Sequence, residues 1–288
     1  MKVTIITINY NNCKGLQNTI ESVINQSARS SIEYIIVDGA STDGSTRLLS
    51  EYATKIDYAI SESDKGIYNA MNKGIAKATG DYYLFLNSGD YLYSTETIQK
   101  CLKELISGED LVMGQVKILP SGRIGWNDLK TPFTLLDFYT SGPIPHQACF
   151  IKNTLFKNLL YDENLRIVAD WKFFMQKIVF EKCSYKLIDC IVSNFEEGGI
   201  SANRFLCDQE REQVLKNLLP PAIYLDYYRW ANGSEYTGTT YESFFTNLRK
   251  NNMKCAKLIY TLSVFLVKIL SWGRPSLKFV HSLPLRWK

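Results

Sequence analysis

Four carboxylates, Asp38, Asp43, Asp64 and Asp90, fall within the first 90 residues, each beside Asn, Ser or Gly. Clustered carboxylates repel one another, and a divalent cation makes such crowding tolerable. Mg2+ takes one or two carboxylates and completes its shell with phosphate oxygens and water. The usual phosphate loops are missing: there is no Gly-x-x-x-x-Gly-Lys-Ser/Thr and no Gly-x-Gly-x-x-Gly. Gly-x-Ser-x-Gly and His-Glu-x-x-His are missing too. The chain has only two histidines, His146 and His281, which argues against a multi-histidine metal centre. Seven cysteines, an odd number with no CxxC, predict small apolar packing in a reducing compartment rather than zinc or disulfides. What remains is a nucleoside diphosphate held through a cation.

The elements that must position these residues alternate. Lys2–Ile8 is a β-branched run that ends in Asn9-Tyr10-Asn11-Asn12, a strand opening into a polar turn. Glu33–Val37, Tyr58–Ser61 and Asp81–Leu86 read as further strands, and Asn87-Ser88-Gly89-Asp90 closes the last. Residues 16–24, 45–52 and 67–78 have helical spacing between them. Such alternation predicts a parallel α/β sheet with helices on both faces, whose ligands sit at the carboxyl ends of the strands. The polar clusters fall at those ends. Tyr68, Met71 and Ile75 read as helix core, and Lys73 as a solvated helix residue or a phosphate contact. Further on, Glu109–Leu119 and Tyr185–Val192 read as strands, Asp170–Phe180 as an amphipathic helix, and 205–230 as helix broken at Pro220-Pro221.

The 288 residues are 45% hydrophobic and 22% charged, which excludes disorder along the whole length. The net charge of +4 is unevenly placed. Glu242 is the last acidic residue, and nine Lys and Arg follow it between 243 and 288. A mildly acidic body with a basic tail points to a polyanion or an anionic membrane. Leu258, Ile259, Leu262, Phe265, Leu266 and Ile269 recur at helical spacing in the tail. Its longest uncharged run, Leu258–Val267, has ten residues, about half of a membrane span. The N-terminus is a strand pattern without a signal peptide, so cytosolic synthesis is expected.

Four blocks in order carry a resemblance. They are Thr-Ile-Asn-Tyr-Asn (7–11), Val-Asp-Gly-Ala-Ser-Thr-Asp-Gly-Ser (37–45), Asp-Lys-Gly-Ile-Tyr-Asn-Ala-Met-Asn-Lys-Gly (64–74) and Gly-Asp-Tyr-Tyr-Leu-Phe-Leu-Asn-Ser-Gly-Asp (80–90). The chain resembles family 2 glycosyltransferases over about residues 1–205, most closely the bacterial enzymes of colanic acid and capsule assembly. The resemblance implies a GT-A fold, a Rossmann-like, mostly parallel sheet flanked by helices. It divides the chain into a nucleotide-sugar half of about 1–90, an acceptor half of about 91–205 and a helical extension of 206–288, basic and amphipathic from about 243. It implies that Thr7, Asn9 and Asn11 line a base pocket and that Asp38 accepts from a base N–H. It brings Asp64, Lys65 and Gly66 to the base and ribose. Asn87–Asp90 takes the place of the family's Asp-x-Asp, with Asn where the first carboxylate stands. Asp90 is then the ligand of Mg2+ or Mn2+, and Asn87 a contact to ribose or water.

An inverting transfer needs a carboxylate beside the acceptor hydroxyl. Asp170 sits where the family places that base; Asp162, Glu163 and Asp189 are the alternatives. His146 and Gln147 precede a strand expected near the reaction centre, as buried structural residues or as contacts to acceptor or donor sugar. Gly198-Gly199-Ile200-Ser201 resembles the family's late glycine turn. The reading is an inverting glycosyltransferase using a UDP- or GDP-sugar and a glycan or undecaprenyl-linked acceptor. It works at the inner face of the plasma membrane, held there by 243–288, with no nucleic-acid partner. A catalytically inactive nucleotide-sugar-binding protein and a sugar nucleotidyltransferase are the competing classes.

Overall fold

The computed structural model describes residues 1–126, 132–140, 142, 144–196, 198, 199 and 203–232. Strands β1 (Val3–Asn9) and β2 (Ile32–Asp38) are buried at all seven of their positions. A run without polar alternation belongs to a strand covered on both faces, and that is where the helices lie. Val3 and Ile5 pack with Leu16, Ile20 and Val23 of α1 (Cys13–Ile24) in one core cluster. The neighbouring residue Ile6 points the other way, against Gly74 of α3 (Ile67–Lys77). The two-residue side-chain period of a strand thus assigns one helix to each face.

Nine strands form one sheet among the described residues. The others are β3 (Tyr58–Ser61), β4 (Tyr82–Phe85), β5 (Tyr91–Leu92), β6 (Leu111–Leu119), β7 (Arg123–Gly125), β8 (Cys149–Lys152) and β9 (Tyr185–Glu196). Their order is β3-β2-β1-β4-β8-β6-β9-β5, with β7 paired to β6. β1 to β4 are mutually parallel. β8 runs against both β4 and β6, while β6 and β9 are parallel. Six strands therefore point one way, and β5, β7 and β8 point back. The expected mostly parallel sheet is present, with its reversals confined to the second half.

Helices α2 (Ser45–Glu51), α4 (Thr97–Leu105) and α5 (Leu135–Thr140) complete this region. α4, the short β5 and α5 were not read from sequence. The expected helix at 170–180 is α6 (Ala169–Met175) continued by a π-helical turn, Gln176–Phe180. α7 (Arg204–Leu218) and α8 (Pro221–Asn232) flank Pro220; proline suits the first helical position because its missing N–H would be unpaired there anyway. The chain divides into compact units Met1–Val214 and Leu215–Lys288. The basic tail from 243 and Ile200 and Ser201 of the glycine turn lie outside the described residues.

Candidate functional site

Register builds the first part of the site. Asn9 pairs with Asp38 and Asp38 with Ser61, so three parallel strands end in a row of polar residues. Asp38 becomes the hub of that row. Its Oδ1 accepts from Asn9 Nδ2 at 2.7 Å and Ser41 Oγ at 2.6 Å. Its Oδ2 accepts from Ser41 N at 2.9 Å and Ser61 Oγ at 2.6 Å. Burial opposes the charge, but these four donors outweigh it and hold the carboxyl below its ordinary value.

The second part is the turn after β4. Gly89 N donates to Thr19 Oγ1 at 3.1 Å, and Thr19 Oγ1 donates to Asp90 O at 2.7 Å. α1 thereby holds Asn87 and Asp90 at the sheet edge. The third part comes from the second half. A 3-10 turn, His146–Ala148, enters β8 and delivers His146 and Gln147. Val168 leads into α6, which presents Asp170 in its first turn. Glu210 of α7 holds that entry: its carboxylate accepts from the N–H groups of Arg166, Ile167 and Val168 at 2.8, 2.9 and 3.3 Å.

These parts surround a cleft of about 1060 Å3, at the upper end of small-molecule sites. Of the expected nucleotide contacts, Asn9, Asp64, Gly66 and Asn87 line it. So do Asp90, His146, Gln147 and Asp170. Four expected contacts do not. Thr7 is buried inside the sheet, donating to Leu86 O at 2.8 Å. Asp38 is fully buried, and its oxygens are already occupied by the donors above, so it organises the edge instead of meeting a base. Asn11 turns its Oδ1 to Thr42 N at 2.8 Å, and Lys65 is exposed outside the cleft. Gly66 meets no crowding, since a Cβ there would have nothing within 4 Å; its φ of +124° is what requires glycine. Asp43 caps α1, accepting from Cys13 N at 2.7 Å. Lys73 pairs with Glu62 at 2.8 Å.

Asp170 is the centre of a chain of hydrogen bonds. Its Oδ2 lies 2.9 Å from His146 Nδ1, and His146 Nε2 lies 3.3 Å from Asn87 Nδ2. Tyr68 Oη lies 2.8 Å from Asp170 Oδ1 and 2.6 Å from Ile167 O, its one proton shared between two acceptors. Burial opposes the charge on Asp170, yet His146 and Tyr68 outweigh it and the carboxyl sits below its ordinary value. Burial likewise opposes charge on His146, but Asp170 and Asp90 raise its basicity above the ordinary histidine value. Asp90 is 8% exposed, and burial pushes its carboxyl up to about 7, with His146 only partly offsetting this. Two buried acceptors facing this region, Asn9 Oδ1 and Asn87 Oδ1, have no partner among the described residues.

The other carboxylates weighed as a base are occupied outside the cleft. Asp162 pairs with Lys172 at 2.6 Å, Glu163 accepts from Asn69 and Asn72, and Asp189 accepts from Gln115. Sequence reasoning missed Tyr68 and Glu210. Tyr68 carries the signal of a core aromatic, and only the fold shows its hydroxyl meeting a carboxylate 102 residues away.

The sequence profile described as "Glycosyl transferase family 2" matches residues 4–169. The chain belongs to this family. An uncharacterised glycosyltransferase of Mycobacterium tuberculosis is 33% identical to this glycosyltransferase over 206 residues, 70% of this chain and 78% of that one. Among solved structures, Staphylococcus aureus TarS 1-349 in complex with UDP-GlcNAc superposes with a TM-score of 0.61 at 18% identity, covering 87% of this chain and 80% of that one. The mannosyltransferase PcManGT from Pyrobaculum calidifontis, in complex with GDP-Man and Mn2+, gives 0.59 at 16% identity, covering 97% and 83%. These superpositions confirm the GT-A fold of the glycosyltransferase.

The donor atoms of the site suit a hard cation. Asp90 offers oxygen and is a buried carboxylate that a cation would relieve. No group of three His, Cys, Asp or Glu converges on one point among the described residues. The protein would hold an ion through Asp90 alone or with one neighbour, leaving the remaining positions to phosphate and water.

Proposed function

We propose that the glycosyltransferase is an inverting enzyme that moves a sugar from a UDP- or GDP-sugar to a hydroxyl of a glycan or lipid-linked glycan, in surface polysaccharide assembly. The observation that carries the reading is the Tyr68–Asp170–His146–Asn87 chain lining one cleft with Asp90. The nucleotide occupies the end lined by Asn9, Tyr10 and Asp64. Tyr10, 68% exposed, offers a ring face to a base, and the unpartnered Asn9 Oδ1 offers an acceptor to a base N–H. Asn87 Oδ1 does the same for a ribose hydroxyl or a bound water. That two structural neighbours are in complex with UDP-GlcNAc and with GDP-Man supports a nucleotide-sugar ligand for this cleft.

Asp170 is the base. It is ionised at neutral pH and turned toward the cleft by His146 and Tyr68. The acceptor oxygen bonds to the anomeric carbon, the carbon–oxygen bond to the diphosphate breaks with its electron pair leaving on the diphosphate, and the acceptor proton passes to Asp170. A carboxylate held below its ordinary value is a weak base. It takes the proton late, once the new bond has made the acceptor oxygen acidic. His146 keeps the carboxylate charged and aimed. Mg2+ or Mn2+ at Asp90 would supply positive charge to the leaving diphosphate. An inactive binding protein, the competing class, has no need of a base so carefully held.

Asp170→Asn tests the assignment. The amide keeps size and one acceptor for Tyr68, so the fold and donor affinity are retained, while turnover falls about 10²–10⁴-fold, the usual worth of a general base. Near-normal nucleotide release by Asp170→Asn in the presence of acceptor overturns it.

A further inference from the structure

Helix α7 also contributes to the lining of the cleft. Cys207 and Arg211 stand four residues apart on that helix, hence on one face, and both line the cleft. Arg211 is the one lysine or arginine among the described lining residues. Its guanidinium carbon lies 5.5 Å from the ring centroid of Trp171, the residue after Asp170. Gly142 faces it: a Cβ there would stand 2.8 Å from Nη2, so the missing side chain leaves the guanidinium its room.

Arg211 lacks an anion. Its Nε is buried without a hydrogen-bond partner, and it pairs with no carboxylate among the described residues. Of the two acids that flank it in sequence, Glu210 is occupied by the N–H groups of 166–168 and Glu212 is engaged elsewhere. Asp170 is occupied by His146 and Tyr68. A guanidinium is always charged, and a buried donor left unmade is costly. Its planar fork matches two oxygens of a phosphate.

We propose that Arg211 receives a phosphate ester carried by the acceptor, an inference that rests on the glycosyl-transfer reading of this cleft. The donor diphosphate belongs with Asp90, whereas Asp170 meets Nδ1 of His146 and Asn87, of the turn that carries Asp90, meets its Nε2. Arg211 lies over Trp171, the residue next to Asp170, so a group held by Arg211 stands close to the hydroxyl that faces that base. An acceptor with a phosphate beside its attacking hydroxyl is gripped by Arg211 while Asp170 takes the proton. The site thus selects phosphorylated polyols or glycans over neutral sugars.

Calorimetry on the full chain tests this. UDP and GDP are first titrated with Mn2+ to find the nucleotide that binds. Glycerol phosphate, and glycerol as control, are then titrated into the nucleotide-saturated protein. Glycerol phosphate binds and glycerol does not. Arg211→Met, which keeps a flexible stem against Trp171, weakens glycerol phosphate about tenfold or more while nucleotide affinity holds. Equal binding by wild type and Arg211→Met overturns the proposal, as does the absence of binding to wild type. A large loss of nucleotide affinity in Arg211→Met also overturns it, because the guanidinium then serves the donor diphosphate. If Arg211→Met does not fold, Arg211→Lys, which keeps the charge without the fork, must show the same selective weakening, and wild-type behaviour there overturns the assignment. If neither nucleotide binds wild type, it is the donor reading that fails, and the same titration into nucleotide-free protein still decides Arg211.

Discussion

At the scale of single residues, His146 and Asp90 make opposite demands on pH. His146 lowers the proton affinity of Asp170, so without it the desolvation of that carboxyl is opposed mainly by the weaker hydrogen bond from Tyr68. His146→Ala should move the acid limb of the kcat/KM profile toward higher pH, costing more activity at pH 6 than at pH 8. A drop of equal size at every pH would assign His146 to the scaffold alone. Asp90 has the reverse character. Its carboxyl, pushed up to about 7 by burial, must lose its proton before it can bind a cation. Mn2+ affinity measured by calorimetry with bound nucleotide should therefore rise about tenfold per pH unit below 7 and level off above it. A flat profile from pH 5.5 to 8, or full activity in EDTA, would remove Asp90 from metal binding. Residue type pointed to Asp90 and the family resemblance to Asp170. Neither separated them from Asp38, because a buried Asp with every lone pair engaged and one facing a cleft read alike in sequence.

At the scale of elements, β2 carries a buried carboxylate near each end, Glu33 and Asp38, five residues apart. Asp38 gathers the strand ends at the cleft. Glu33 closes the opposite edge, accepting from Thr79 N at 2.7 Å and from the hydroxyls of Thr4 and Thr79, with Lys2 at 3.4 Å. Burial opposes its charge, but those donors win and hold its carboxyl at about 2. The stabilisation is complete above the ordinary glutamate value and disappears as pH falls from about 4.5 to about 2. Glu33→Gln should cost about 3 kcal/mol at pH 7 and little at pH 2.5, read as midpoints of urea denaturation. An equal cost at both pH values would mean that packing, not charge, is lost. The strands and helices of residues 1–90 were legible because each is a continuous apolar run stopped by a polar turn. α4, α5 and β5 were not, for lack of such punctuation: β5 is two residues long and α5 six.

At the scale of the whole molecule, the nucleotide half could be read from sequence because its motifs are local to strand ends. The rest of the cleft could be read only in part: His146 and Asp170 were expected there, while Tyr68, Trp171 and Arg211 join them only through the fold. The basic tail adds a test of its own. No helix of the described residues is long and apolar enough to cross a membrane. The nine cations of 243–288, each worth about 1 kcal/mol beside an anionic leaflet, should make the full chain sediment with phosphatidylglycerol vesicles at low salt. A chain ending at Glu242 should stay in the supernatant. Equal sedimentation of both would make the tail a packing element.

The grip of Glu210 on the three N–H groups before Asp170 sets an order on synthesis. Strands β1 to β4 and the turn that closes β4 come from residues 1–90 and leave the ribosome first. The entry to Asp170 is not fixed by Glu210 until the chain has grown forty residues beyond that aspartate. On the proposed reading a nascent chain can therefore carry its strand-end residues before Asp170 is fully held, and turnover is expected only once α7 arrives.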